Sequence, residues 1–123
     1  MTPKQAIERL DSLIRNAYTK EDKLDWLTRV DWMIKKHIID RHEGGENVVY
    51  NGYTAENEDA ELLATPPHDD LYIRFMEAQI HYYNGEYDKY NNAVIEFQSA
   101  YDAFAAMYTR EHMPLAAGKR FLF

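Results

Sequence analysis

Seven large apolar residues recur between positions 87 and 108 at a spacing that only a helix brings to one side. Tyr87, Tyr90, Val94, Phe97, Tyr101, Phe104 and Tyr108 are separated alternately by three and four residues, the interval of a continuous helical seam. A seam this long needs a facing element to bury it. Leu71, Phe75, Ala78 and Tyr82, just upstream, fall on one face at helical spacing. Asn84-Gly85 between the two runs is a stop signal, and so short a connection predicts an antiparallel helical hairpin. His68-Asp69-Asp70 opens its first helix with carboxylates where the helix dipole favours them.

The N-terminal part repeats the logic. Thr2-Pro3-Lys4-Gln5 has the form of a capping box with proline at the first helical position. Ile7, Leu10, Leu13, Ile14 and Ala17 follow at helical spacing, with Asp11 and Arg15 as a pair on the wet side, so a first helix is expected to run to about Tyr18. Thr19 to Asp22 caps a second, whose stripe is Leu27, Val30, Ile34 and Ile38 with Trp26 and Met33 on the flank. Asp25 with Arg29 and Asp31 with Lys35 are expected to pair on its exposed side, and Gly44-Gly45 to end it. Residues 46 to 67 have no helical period. There Val48-Val49-Tyr50, Asn51-Gly52 and Tyr53-Thr54 suggest a tight type I′ hairpin, and the acidic run from Glu56 to Glu61 with Pro66-Pro67 suggests an exposed connector. The expected fold is therefore all-α: a four-helix bundle-like domain over residues 1 to 113, with a short β-hairpin insertion between helices 2 and 3. An extended C-terminal arm follows over residues 114 to 123.

With 123 residues, 46% hydrophobic and 28% charged, the chain can bury one core. It contains no cysteine, which excludes a disulfide framework, a thiolate nucleophile and a thiolate metal site. No stretch has the apolar length of a membrane span, and the first residues lack the apolar core of a secretory signal, so a cytoplasmic protein with no membrane partner is expected. The net charge of −7 is unevenly spread. Residues 1 to 42 carry nine Lys/Arg and seven Asp/Glu; residues 43 to 108 carry two bases against thirteen acids; residues 109 to 123 return to net +2. No clustered basic face is evident, which disfavours a nucleic acid as main ligand. The ends of such a chain attract its middle, within one copy or between copies.

Catalytic chemistry finds little support. Glu77 and His81 lie four apart on a helix, yet di-iron bundles use Glu-x-x-His on each of two helices, and no such motif recurs. His37, Asp40, Arg41 and His42 form a polar knot explained by the helix C-terminus. Asp69 and Asp70 are adjacent, so they do not face each other as an acid/base pair would. No phosphate loop, serine elbow or zinc pattern occurs in the sequence. A non-enzyme is expected, with no catalytic, cofactor-binding or metal-binding residues.

Partner binding is the more natural reading. Ten tyrosines occur in the chain, seven of them between Tyr72 and Tyr108, and tyrosine enriches at interfaces as well as core edges. Tyr50, Tyr53 and Tyr83 lie outside the main seams and are candidate contacts. So are Leu115, Lys119, Arg120, Phe121, Leu122 and Phe123, a run that ends on three large apolar residues with no local period to bury them.

Two N-terminal helices, the tyrosine-bearing Asn51-Gly52 ribbon, the segment from Glu61-Leu62-Leu63-Ala64-Thr65-Pro66-Pro67 through His68-Asp69-Asp70-Leu71-Tyr72, and Asn84-Gly85-Glu86-Tyr87-Asp88-Lys89-Tyr90-Asn91-Asn92 together occupy most of residues 5 to 114. In that order they resemble the small head-tail connector proteins of long-tailed bacteriophages. The resemblance implies a helical adaptor in the neck of the virion, assembled in the host cytoplasm. It implies a homo-oligomeric ring, usually twelvefold, between the portal protein and the stopper or tail-completion protein, with DNA passing through the channel without sequence-specific binding. The arm from Leu115 to Phe123 would then reach the portal or a neighbouring copy. A competing expectation, from the acidic composition, is a small regulatory or antitoxin-like module that neutralises a basic partner.

Overall fold

The computed structural model describes residues 1–115. Its four helices are α1 (Pro3–Leu13), α2 (Lys20–His37), α3 (Asp70–Tyr83) and α4 (Tyr87–Glu111), with short 3-10 turns at Ile39–Arg41 and Gly45–Asn47. Among the described residues there is no strand, and the fold is all-α.

Both N-terminal caps form as the sequence suggests. Thr2 Oγ1 accepts from Gln5 N at 3.2 Å while Gln5 Oε1 accepts from Thr2 N at 3.0 Å, and Thr19 with Asp22 repeats the box. Each helix then stops earlier than its apolar pattern. α1 ends at Leu13, not Tyr18, because Asn16 offers the chain another set of partners: its Nδ2 donates to Asp11 Oδ1 and to Ile14 O, and its Oδ1 accepts from Tyr18 N. α2 ends at His37, before Gly44-Gly45, and tightens into the first 3-10 turn. Gly45 sits so close to that turn that an added Cβ would lie 2.3 Å from the Ile39 carbonyl oxygen.

α3 is the central element, touching α1, α2 and α4. It is accordingly buried nearly all round, with Leu71, Tyr72, Ile73, Met76, Ala78 and Ile80 inside, where a single apolar face was expected. The α3–α4 hairpin turns through Asn84 and Gly85, whose φ of +76° suits glycine. Along α4 only Ala93, Phe97 and Phe104 are buried. Phe97 meets Phe75 edge to face at 5.1 Å, and the first residue of the seam, Tyr87, is 60% exposed.

α4 has 25 residues and α3 only 14, so at 1.5 Å per residue α4 is longer by about 16 Å. Its last turns are covered by other elements. Phe104 packs near His68. The buried His42 ring reaches Ile38 O at 2.6 Å and Thr109 Oγ1 at 3.1 Å, and lies edge-on to Tyr108. Past the helix end, Glu43 N donates to Met113 O at 2.8 Å and His42 bridges Pro114. This clasp fastens the chain just after α4 to the turn that follows α2.

The hairpin expected around Asn51-Gly52 does not form. A type I′ turn needs positive φ at both central residues, and here Gly52 has φ +86° while Asn51 does not have a positive φ. The segment instead spends its hydrogen bonds on α2 and on its own side chains. Tyr53 N donates to Thr28 Oγ1 at 3.0 Å, Tyr50 OH to Thr28 O at 2.7 Å, and Asn57 Nδ2 to Gly52 O at 2.9 Å. Further on, Glu58 O accepts from Lys4 N and Leu62 N donates to Met1 O, tying the loop to the start of α1.

Candidate interaction surface

A carboxylate, Asp31, organises the interior. It lies on α2 four residues after Leu27 and three before Ile34, inside the apolar stripe, and it is completely buried. The exposed Asp31–Lys35 pair expected from sequence is therefore absent; Lys35 instead bonds Asp40 and Gly45 O. Three donors meet the Asp31 carboxylate: Tyr72 OH at 2.6 Å, Leu63 N at 3.1 Å, and Tyr53 OH. Tyr72 OH in turn accepts from Ala64 N at 2.7 Å. Burial pushes the carboxyl up to about 6, with the Tyr53, Tyr72 and Leu63 hydrogen bonds holding it back from a larger rise. The same burial, with the negative charge beside them, raises the hydroxyls of Tyr53 and Tyr72 above the ordinary tyrosine range. They remain donors. The node clamps the 48–65 loop between α2 and α3 and has no outward-facing polar atom to present to a ligand.

This placement corrects the reading of Tyr50 and Tyr53 as contacts lying outside the core. Each is only 8% exposed, and their rings pack edge to face at 5.3 Å. The signal was available in the position of Asp31: an acid inside an apolar stripe requires buried donors, and tyrosines on the following loop supply them.

The outward aromatic surface lies at the α3–α4 turn. Tyr83, 54% exposed, stacks on Trp26 with centroids 6.1 Å apart and planes within 7°. Tyr18 joins both rings, and Tyr82 links Tyr83 to Tyr87 and Tyr90 at 5.2 to 6.2 Å. Six rings are thus continuous, and Tyr82, Tyr83 and Tyr87 are each about half exposed or more. The expectation for Tyr83 places it on this surface; Tyr82 and Tyr87, read as seam residues, belong here as well. Tyr82 lies in the last turn of α3 and Tyr87 in the first turn of α4, where the rings meet each other across the turn and keep their outer faces in solvent.

Carboxylates frame these rings. Asp22 and Asp25 line the groove beside Tyr18, Trp26 and Tyr83, with Arg29 paired to Asp25 at 3.1 Å. Across the turn, Glu86 holds Lys89 at 3.1 Å and approaches His81 at 3.3 Å. Lys89, His81 and Asn84 together keep Glu86 well below the usual carboxylate range, at about 2. Asp88 is exposed in the first turn of α4.

His81 also lies 3.6 Å from Glu77, and among the described residues no group of three His, Asp or Glu side chains is arranged to hold a metal. Asp70 is taken up by Arg74 at 3.0 Å, and Arg74 also pairs with Glu96. Leu115 is half-buried just beyond the clasp; Lys119, Arg120, Phe121, Leu122 and Phe123 lie outside the described residues. Part of the charge asymmetry is satisfied within the chain, through Lys20 with Glu58 in the acidic middle. Asp11, expected beside Arg15, instead takes the nearly buried Lys23 at 2.7 Å. No helix of the described residues is long and apolar enough to cross a membrane.

Comparison of the chain with family models, with curated proteins and with solved structures returns no match.

Proposed function

We propose that this protein is a structural adaptor of the head-tail connector type, assembling as a ring, twelvefold in the usual case, between a phage portal and the stopper or tail-completion protein. The observation that carries the reading is the separation of two features. An exposed aromatic surface sits at the α3–α4 turn, and the clasped exit of the chain sits at the far end of α4. A closed ring needs such a heterologous arrangement, one surface of each copy meeting a different surface of the next. The buried polar network of Asp31 supports rigidity, and the acidic middle of the sequence suits a channel through which DNA slides without adhering.

The test is negative-stain imaging of the full chain, alone and mixed with the portal protein encoded in the same phage genome. Rings, or a ring stacked on the portal, are expected. A particle that remains a monomer or dimer in both preparations would reject the adaptor reading and favour the small acidic regulatory module.

A further inference from the structure

We propose that Asn51 is a site of self-modification: the Gly52 nitrogen displaces its side-chain amide, giving isoaspartate and aspartate at this position, while Asn84 is held back from the same reaction by its hydrogen bonds. The proposal does not depend on the ring reading.

Glycine follows asparagine at two places in the chain, and both have the same local sequence, Tyr50-Asn51-Gly52 and Tyr83-Asn84-Gly85. Glycine has no Cβ to keep the preceding side chain away from its nitrogen, so each pair has the composition that ring closure needs. Their surroundings differ. Asn51 is exposed, and among the described residues neither its side-chain amide nor the Gly52 N–H has a hydrogen-bond partner. The bonds of this stretch belong to the groups around them: Tyr50 OH with Thr28 O, Tyr53 N with Thr28 Oγ1, and Asn57 Nδ2 with Gly52 O. Gly52 is buried beside Thr28, yet with Asn51 it lines a groove of about 380 Å³ between α2 and the loop, roomy enough to admit water.

At the other pair every reacting group is engaged. Asn84 Oδ1 accepts from Tyr18 OH at 2.6 Å, Asn84 Nδ2 donates to Glu86 Oε1 at 3.2 Å, and Gly85 N donates to Tyr82 O at 3.1 Å. Ring closure there must first release these bonds, which slows it by about tenfold or more.

The chemistry needs only water. The Gly52 nitrogen forms a bond to Asn51 Cγ, the Cγ–Nδ2 bond breaks, and Nδ2 leaves as ammonia with the proton that the Gly52 nitrogen gives up. Water then opens the cyclic imide. Attack at Cγ restores the original main chain with aspartate; attack at the main-chain carbonyl carbon leaves isoaspartate, whose main chain runs through Cβ and Cγ. Either product adds a carboxylate to the groove that Glu21 and Asp25 already line. Isoaspartate also lengthens the main chain just before Tyr53, whose N and OH tie the loop to Thr28 and Asp31. The modification therefore loosens the loop from α2.

The experiment ages the full chain in warm, neutral buffer made with heavy-oxygen water and follows both asparagines by peptide mapping, with fragmentation that separates isoaspartate from aspartate. Asn51 should convert about tenfold faster than Asn84 or more. In guanidinium, where only the shared local sequence acts, the two should convert at nearly equal rates. Tyr18→Phe removes the donor to Asn84 Oδ1 and should raise the Asn84 rate while leaving that of Asn51 unchanged. Equal rates in the folded chain, or an Asn51 that survives folding conditions while converting in guanidinium, would overturn the proposal. An Asn84 rate indifferent to Tyr18→Phe would overturn the protection assigned to its hydrogen bonds. The isoaspartate form, separated by chromatography, should exchange the Tyr53 amide hydrogen faster than the unmodified chain; equal exchange would overturn the loosening of the loop.

Discussion

Asp31 shows how much one side chain governs in this fold. Its two oxygens accept from Tyr53, Tyr72 and Leu63 N, so truncation strands two buried hydroxyls and an amide at once. Asp31→Ala is expected to cost about 3 kcal/mol or more in urea unfolding, with Tyr53→Phe and Tyr72→Phe each costing less because the carboxylate keeps its other donors. The pH dependence follows from the raised carboxyl, at about 6 against an ordinary 3.8. Between those values the folded chain holds a proton that the unfolded chain has released, so the contribution of this group to stability falls as pH rises through the window and is constant above it. Glu86 acts oppositely: held at about 2, it contributes stability that is lost as pH falls below its ordinary value of 4.5. Chemical denaturation across pH 4 to 7, compared between wild type and Asp31→Asn, isolates the first effect. A difference that does not change over this window would show that the buried carboxyl keeps an ordinary affinity for protons.

Among the elements, α4 divides sharply between a held part and a free part. Phe104 is 1% exposed and Ile95 is 68% exposed; Phe104→Ala should cost about 3 to 5 kcal/mol, and Ile95→Ala about 0.5 kcal/mol or less, both read from urea midpoints. Gly45→Ala should be destabilising by about 2 kcal/mol or more, because the new methyl meets the Ile39 carbonyl oxygen, which is backbone and cannot rotate away. The helices themselves were readable because their signals are local: Thr2 with Gln5, Thr19 with Asp22, and Asn84-Gly85 each act within a few residues. Their ends were less so. Asn16 terminates α1 by competing for hydrogen bonds, which no apolar period reveals, and the burial of α3 on more than one face is invisible because periodicity does not say how many neighbours a helix has. The loop from Val48 to Thr65 departs from the expected hairpin for a related reason. Asn51-Gly52 is a hairpin signal only if the flanking strands have nothing better to pair with, and Thr28 and Asp31 offered buried tyrosines something better. The exposed aromatic turn was half visible, since Tyr83 fell outside the seams while Tyr82 and Tyr87 were concealed within them.

For the whole molecule, the uneven spread of charge along the sequence makes salt the test of whether copies associate through it as proposed. If opposite charges on separate segments draw copies together, raising ionic strength from low to moderate should weaken sedimentation-detected assembly by a few-fold, up to about a factor of ten. Assembly indifferent to salt would assign the contact to its apolar part alone. The clasp between His42-Glu43 and Met113-Pro114 works as a buckle joining the last turns of α4 to the turn after α2, so that loosening one side frees the other: His42→Ala should speed amide hydrogen exchange at Thr109 to Glu111 and at Arg41 to Glu43 together.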